Sequence, residues 1–182
     1  MRRAVLALAL LAGGCSGIPI VHDGTNTYDT VAELGYAARG GELKTVVRGN
    51  PFAAPDSALV AAVMRAMFMS NRGRVVRFTP SPRAVSSLDY RVVMQFNGPA
   101  AGSELCAAGA VPPPPRPPSP SVRVDAAFCR DALALSEAWG TIDGPSGPED
   151  AGFQQLVSDV TRALFPEPRR DDRRRDGFSL LR

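Results

Sequence analysis

The chain has 182 residues, 45% hydrophobic and 21% charged, with 21 Lys and Arg against 18 Asp and Glu. That apolar content excludes an intrinsically disordered chain, and the length suits one domain of ordinary size. The pI of about 9.0 belongs to the two ends: Arg2 and Arg3 open the chain, and the stretch from Glu167 to Arg182 holds six arginines and four acids. The body between them carries 13 basic and 14 acidic residues, so the basic face that nucleic-acid binding requires is not expected.

The first element is "MRRAVLALALLAGGCSG". Arg2 and Arg3 form a positive start, and Ala4 to Ala12 is an unbroken apolar run. Nine helical residues rise about 14 Å, half of the ~30 Å hydrocarbon core. The run has the dimensions of a secretory signal peptide rather than a membrane span. "LAGGC" resembles the lipobox of bacterial lipoproteins. The resemblance covers about seventeen residues at the N-terminus. It implies cleavage between Gly14 and Cys15, with Cys15 acylated as the new first residue. The family most often has Leu three residues before the cysteine; here that position is Ala12. Ordinary cleavage after Gly14 is the alternative and would give a soluble secreted protein. Ser16 stands where an Asp would mark inner-membrane retention, so the resemblance implies the outer membrane. Two or three acyl chains on one residue make a durable anchor, because each buried CH₂ contributes ~0.8 kcal/mol.

Residues 15–30 lack any period and are rich in turn formers, and read as a tether between the anchor and the domain. A single domain is expected over 31–166. "LGYAARGGELKTVVRG" reads as a hairpin, with Gly40-Gly41 supplying the positive φ of a two-residue turn. "PDSALVAAVMRAMFMSNRG" reads as a helix capped by Asp56 or Ser57. Its apolar stripe is Leu59, Val60, Val63, Met64, Met67 and Phe68. "RVVRFT" and "YRVVMQFNG" read as strands; in the second, Val92, Met94 and Phe96 point one way and Arg91, Val93 and Gln95 the other. Residues 112–121 are proline-rich and read as a stiff polyproline II surface loop. "VRVDAAFC" and "LALSEAWGTI" pair as a hairpin around Arg130-Asp131, with Cys129 on the face opposite Phe128. The return strand then places Leu133, Leu135, Glu137 and Trp139 on one face, and Trp139 reads as a sheet-to-helix packing residue. "SGPEDAGFQQLVSDVTRALFPEP" is the last helix. Pro148 suits its first position, and Phe153, Leu156, Val157, Val160 and Leu164 form its core stripe. Residues 167–182 are charged and aperiodic, as in a disordered tail.

With Cys15 acylated, Cys106 and Cys129 remain, and an oxidising periplasm permits them to pair. Two unpaired thiols are the alternative. Together the elements predict an α+β fold: an antiparallel sheet of about five strands with two amphipathic helices on one face. The second half resembles small periplasmic lipoprotein domains of unknown function in layout alone, which implies a fold and no activity.

Chemistry is sparse. His22 is the only histidine and falls in the tether; Lys44 is the only lysine and has no SxxK around it. GxSxG, HExxH, CxxC and a phosphate-cradling glycine loop are all missing. Asp89, Glu104, Asp125 and Glu137 are scattered along the chain, and two of them could meet across strands as an acid/base pair. Catalytic residues, metal ligands and cofactors are therefore not expected. The reading that follows is a non-catalytic accessory or binding domain of the cell envelope, held to the membrane at Cys15, facing the periplasm and engaging an envelope protein partner but no nucleic acid. A small-molecule or lipid-binding module and a divergent envelope hydrolase are the alternatives.

Overall fold

The computed structural model describes residues 17–26, 30–70, 76–83, 89–107 and 119–166. The segment 1–14 expected to be a signal peptide, Cys15, most of the proline-rich loop and residues 167–182, expected to be a disordered tail, lie outside them. The described residues form the expected α+β fold, with six strands and four helices. In spatial order the sheet runs β1 (Ile20–Asn26), β6 (Leu133–Asp143), β5 (Ser121–Arg130), β4 (Tyr90–Phe96), β2 (Glu42–Arg48), β3 (Arg77–Thr79). The helices are α1 (Thr30–Ala37), α2 (Asp56–Met69), α3 (Gly102–Cys106) and α4 (Ala151–Leu164).

The sheet is mixed. β1, β6, β5 and β4 pair antiparallel, whereas β2 runs parallel to both β4 and β3. Parallel neighbours need a crossover connection, and α2 supplies it between β2 and β3. The hairpin expected around Gly40-Gly41 is therefore replaced by a helix-to-strand turn. Leu34, Ala37 and Ala38 recur at i, i+3 and i+4 and are all buried, which is helical spacing. Gly41 does adopt positive φ, at 81°, but it closes the turn from α1 into β2, its amide donating to the Ala38 carbonyl, rather than joining two strands.

The stretch read as a tether also differs. Ile20–Asn26 is edge strand β1, paired with β6 from Ile20↔Thr141 to Asn26↔Ser136. Its partner lies more than a hundred residues away in sequence, so no local pattern announces it.

One face of the sheet carries the main core. Val92, Met94 and Phe96 of β4, Val122, Val124 and Phe128 of β5, and Leu135 and Ile142 of β6 pack against α1, α2 and α4. The stripe Phe153, Leu156, Val157, Val160 and Leu164 of α4 is fully buried, as the spacing predicts. On α2 the buried residues are Leu59, Ala62, Val63, Ala66 and Met67, while Phe68 is exposed. Pro55 precedes α2 without a side-chain cap, and Asp56 instead accepts a hydrogen bond from Asn50 Nδ2 at 2.8 Å. The start of α4 shifts to Ala151, because the Asp150 carboxylate accepts from the Gly152 and Phe153 amides and serves as N-cap. At the other end Ser136 Oγ donates to the Leu164 carbonyl at 2.8 Å.

Gly140 lets α4 sit close to β6. A Cβ there would lie 2.7 Å from Leu156 Cδ1 and 2.9 Å from the Ile20 carbonyl oxygen. The backbone of β1 cannot yield without breaking its pairing. Gly140→Ala is expected to lower the unfolding free energy by about 1–3 kcal/mol through overpacking, read as a lower urea midpoint at unchanged slope.

The opposite face holds a second, smaller cluster: Val93, Ala127, Cys129, Leu105 and Cys106. It is covered by α3, so helices lie on both faces rather than one. Cys106 and Cys129 form a disulfide, with Cα atoms 5.5 Å apart. Cys129 does lie on the face opposite Phe128.

A cleft beside Trp139 on the α3 face

α3 runs across its face of the sheet from β6 toward β2. Its first amide, Gly102 N, donates to Glu137 Oε2 at 2.7 Å. Ala101 N donates to Glu104 Oε2 at 3.0 Å. At its far end Arg91 Nη2 donates to the Cys106 carbonyl at 2.7 Å, and Arg48 Nη1 to the Leu105 carbonyl at 3.3 Å. A five-residue helix cannot hold itself together, so the disulfide and these bonds fix its place.

Between α3 and the β1 edge lies a cleft of about 460 Å³, lined by Glu104, Arg123, Asp125, Glu137 and Trp139 and floored in part by Gly24 and Pro99. Trp139 reaches it because of a β-bulge. Cys129 pairs with Ala134 but Phe128 pairs with Ser136, which leaves Leu135 as an extra residue. Alternation breaks there. Leu135 joins the main core, while Glu137 and Trp139 turn to the other face. The common face expected for Leu135, Glu137 and Trp139 is thus corrected, and Trp139 is not a sheet-to-helix packing residue. Its ring is flanked from both neighbouring strands. His22 of β1 stacks on it at 4.0 Å between centroids, and the Arg123 guanidinium of β5 lies 4.2 Å from the ring centroid. His22, expected in a tether without a partner, instead pins the edge strand.

Arg123 is in turn held by Asp125, which is only 4% exposed. Nε donates to Oδ2 at 2.8 Å and Nη2 to Oδ1 at 2.7 Å. This bidentate bond raises the guanidinium pKa above its ordinary value, against the opposing effect of burial. Of the four scattered carboxylates, the fold brings Glu104, Asp125 and Glu137 to one cleft; Asp89 lies apart, beside Lys44 and Arg91. Each of the three is engaged: Asp125 with Arg123, and Glu104 and Glu137 with the backbone at the start of α3. Among the described residues no group of three or more His, Cys, Asp or Glu is placed to hold a metal ion, and no helix is long and apolar enough to cross a membrane. Cys15 and Gly14 lie outside the described residues, and Cys106 and Cys129 are the bridge under α3.

A second polar network ties α1 to the main-core face. Tyr90 Oη donates to Glu33 Oε2 at 2.6 Å and Arg130 Nη1 to Glu33 Oε1 at 2.9 Å. Burial first, then the bond to Glu33, pushes the Tyr90 hydroxyl pKa up.

No family model matches the chain, and no curated protein matches it. Among solved structures, the PelC dodecamer from Paraburkholderia phytofirmans is similar in one crystal form with 13% identity and a TM-score of 0.40. A single-residue variant of that dodecamer is similar with 14% identity and a TM-score of 0.41. Each match covers 81% of this chain and 94% of the PelC chain.

Proposed function

We propose that the chain is a lipid-anchored lipoprotein of the bacterial envelope, more specifically of the outer membrane, facing the periplasm. Its domain is a non-catalytic accessory module that binds an envelope protein. The observation that carries the binding reading is the filled layer between sheet and helices. Phe96, Phe128, Phe153, Leu156 and Val160 are all buried there to 1% exposure or less. A lipid carrier would need that layer hollow, so recognition falls to the outer surfaces. The anchor reading rests on the lipobox resemblance at Cys15. It is supported by Ile18 and Ile20, which are 89% and 59% exposed only a few residues after that cysteine, where a bilayer surface would cover them.

The test uses the full chain in a bacterial envelope. Mass spectrometry of the membrane fraction should find Cys15 as an acylated N-terminus, and Cys15→Ala should leave the outer membrane fraction. An unmodified N-terminus at Cys15 or Ser16, or unchanged fractionation of the variant, overturns the anchor.

A second reading, a small polar ligand in the Trp139 cleft, is favoured by the cleft volume of about 460 Å³, within the range of ligand sites. Trp139 is the only tryptophan in the chain, so its fluorescence reports on that cleft alone.

A further inference from the structure

We infer that the domain lies directly on the bilayer, seated by Ile18 and Ile20 at the end of the sheet where β1 begins, and that the surface it takes is zwitterionic phospholipid. The inference deepens the anchor reading above and rests on it.

Chain length supplies the first ground. Gly17 N donates to the Asp143 carbonyl at 2.8 Å, so Gly17 is already fastened to the end of β6. A Cβ at Gly17 would lie 3.2 Å from that oxygen. From there the chain stays on the sheet. Ile20 pairs with Thr141, Val21 packs against the main core, and His22 stacks on Trp139. Lifting this segment away would break all of these contacts. Cys15 precedes Gly17 by two residues, which span at most about 7 Å. Acyl chains on Cys15 enter the bilayer at its surface, so this end of the sheet stands within that distance of it. The stretch has no length left over for a spacer.

Exposure supplies the second ground. Ile18 is 89% exposed, the most of any large apolar residue described, and Ile20 is 59% exposed. They are two apart on a chain that follows β6 from Gly17 onward, and a strand's two-residue period puts them on one side. The other described large apolar residues with exposed surface are Tyr36, Phe68, Met69 and Leu133. All four lie at the opposite end of the sheet. Tyr36 meets Tyr90, the first residue of β4. Leu133 is the first of the eleven residues of β6, about 33 Å along the strand from Asp143. Phe68 and Met69 end α2, which returns to the start of β3. The exposed apolar surface is thus split, with the isoleucines alone at the end next to Cys15.

Charge selects the lipid. On β1, β6 and β5 around the two isoleucines, Asp23 and Asp143 are exposed, and the one arginine at that end, Arg123, is paired with Asp125. That balance gathers no anionic lipid. Seating comes from apolar burial, for which a zwitterionic surface suffices.

The test uses the full mature chain, acylated in cells and reconstituted in phosphatidylethanolamine–phosphatidylcholine vesicles. With Cys15 acylated and Cys106 bridged to Cys129, an introduced cysteine is the only free thiol and takes a nitroxide label. Power saturation then compares Ile18→Cys and Ile20→Cys with Tyr36→Cys and Leu133→Cys. Labels at 18 and 20 should meet oxygen more than a water-soluble nickel complex, and labels at 36 and 133 the reverse. Ile18→Asp should speed transfer of the acylated chain to acceptor vesicles about tenfold, as one isoleucine loses its burial. Its side chain touches little of the core, and an unchanged thermal melt is the folding control. Adding phosphatidylglycerol should leave the transfer rate unchanged. Water exposure at 18 and 20 equal to that at 133, or unchanged transfer of Ile18→Asp, overturns the inference. So does shielding of the label at 18 that appears without vesicles and rises with protein concentration, since a second copy then covers the site. Transfer slowed tenfold by phosphatidylglycerol overturns the choice of lipid. Mass spectrometry separates the inference from the anchor. An acylated Cys15 with water-exposed labels at 18 and 20 sinks the seating and keeps the anchor, while an unacylated Cys15 sinks both.

Discussion

Phe153→Ala lowers the unfolding free energy by about 3–5 kcal/mol, the cost of removing a large aromatic ring from a closed core. Phe153 has no exposed surface. Its ring packs edge-on against Phe52 at 5.0 Å and tilted against Phe96 at 5.6 Å. It therefore joins three parts of the chain: the first turn of α4, the end of β4 and the loop before α2. The walls of the resulting cavity belong to a sheet on one side and helices on the other, and neither can collapse into it without breaking pairing. Domains are stable by only about 5–15 kcal/mol, so a loss of this size is a large share of the total. Urea denaturation followed by circular dichroism measures it. Phe153→Leu, which fills most of the space, should lose less than half as much, and equal losses for the two would show that packing at this point is not what holds α4.

The second large effect is removal of the disulfide. The double variant Cys106→Ala and Cys129→Ala should lose about 3 kcal/mol on the chain-entropy account, given a sequence separation of 23 residues. The loss has a location. α3 has only five residues, and without the bridge it depends on its bonds from Arg48 and Arg91 and to Glu137. Amide hydrogen exchange should accelerate in Gly102–Cys106 well before the α4 amides respond. Thermal melts with and without reductant give the global figure. A melting temperature that is the same in wild type and double variant would show that the bridge decorates α3 and does not hold it.

Those two sites differ in how well they could be read from sequence. The α4 stripe was legible because five apolar residues repeat at helical spacing over a whole helix, and burial follows that spacing residue by residue. The opposition of Phe128 and Cys129 was legible for the same kind of reason, as consecutive residues on one strand. β1 was not legible, since "IVHDGTN" has a polar face and finds its partner only in tertiary structure. α1 was hidden by Gly35 inside it and by a Gly-Gly pair after it that mimics a hairpin turn. α3 is too short to leave any period. The cleft depends on α3, on β1 and on the bulge. The parts of the surface with candidate roles are thus the parts whose placement is decided by long-range pairing, while the core announces itself locally.

The bulge at Leu135 has one more implication. A strand reads its residues in two phases, and the extra residue changes the phase for everything that follows. Deleting Leu135 would remove the bulge and make Ala134↔Cys129 and Ser136↔Phe128 consecutive pairs, so Glu137 and Trp139 would keep the cleft face while the main core lost one buried leucine. Deleting a residue beyond the bulge is a different event, because every later side chain of the strand then changes face. From Ser136 onward length, more than identity, is the constrained property of that strand.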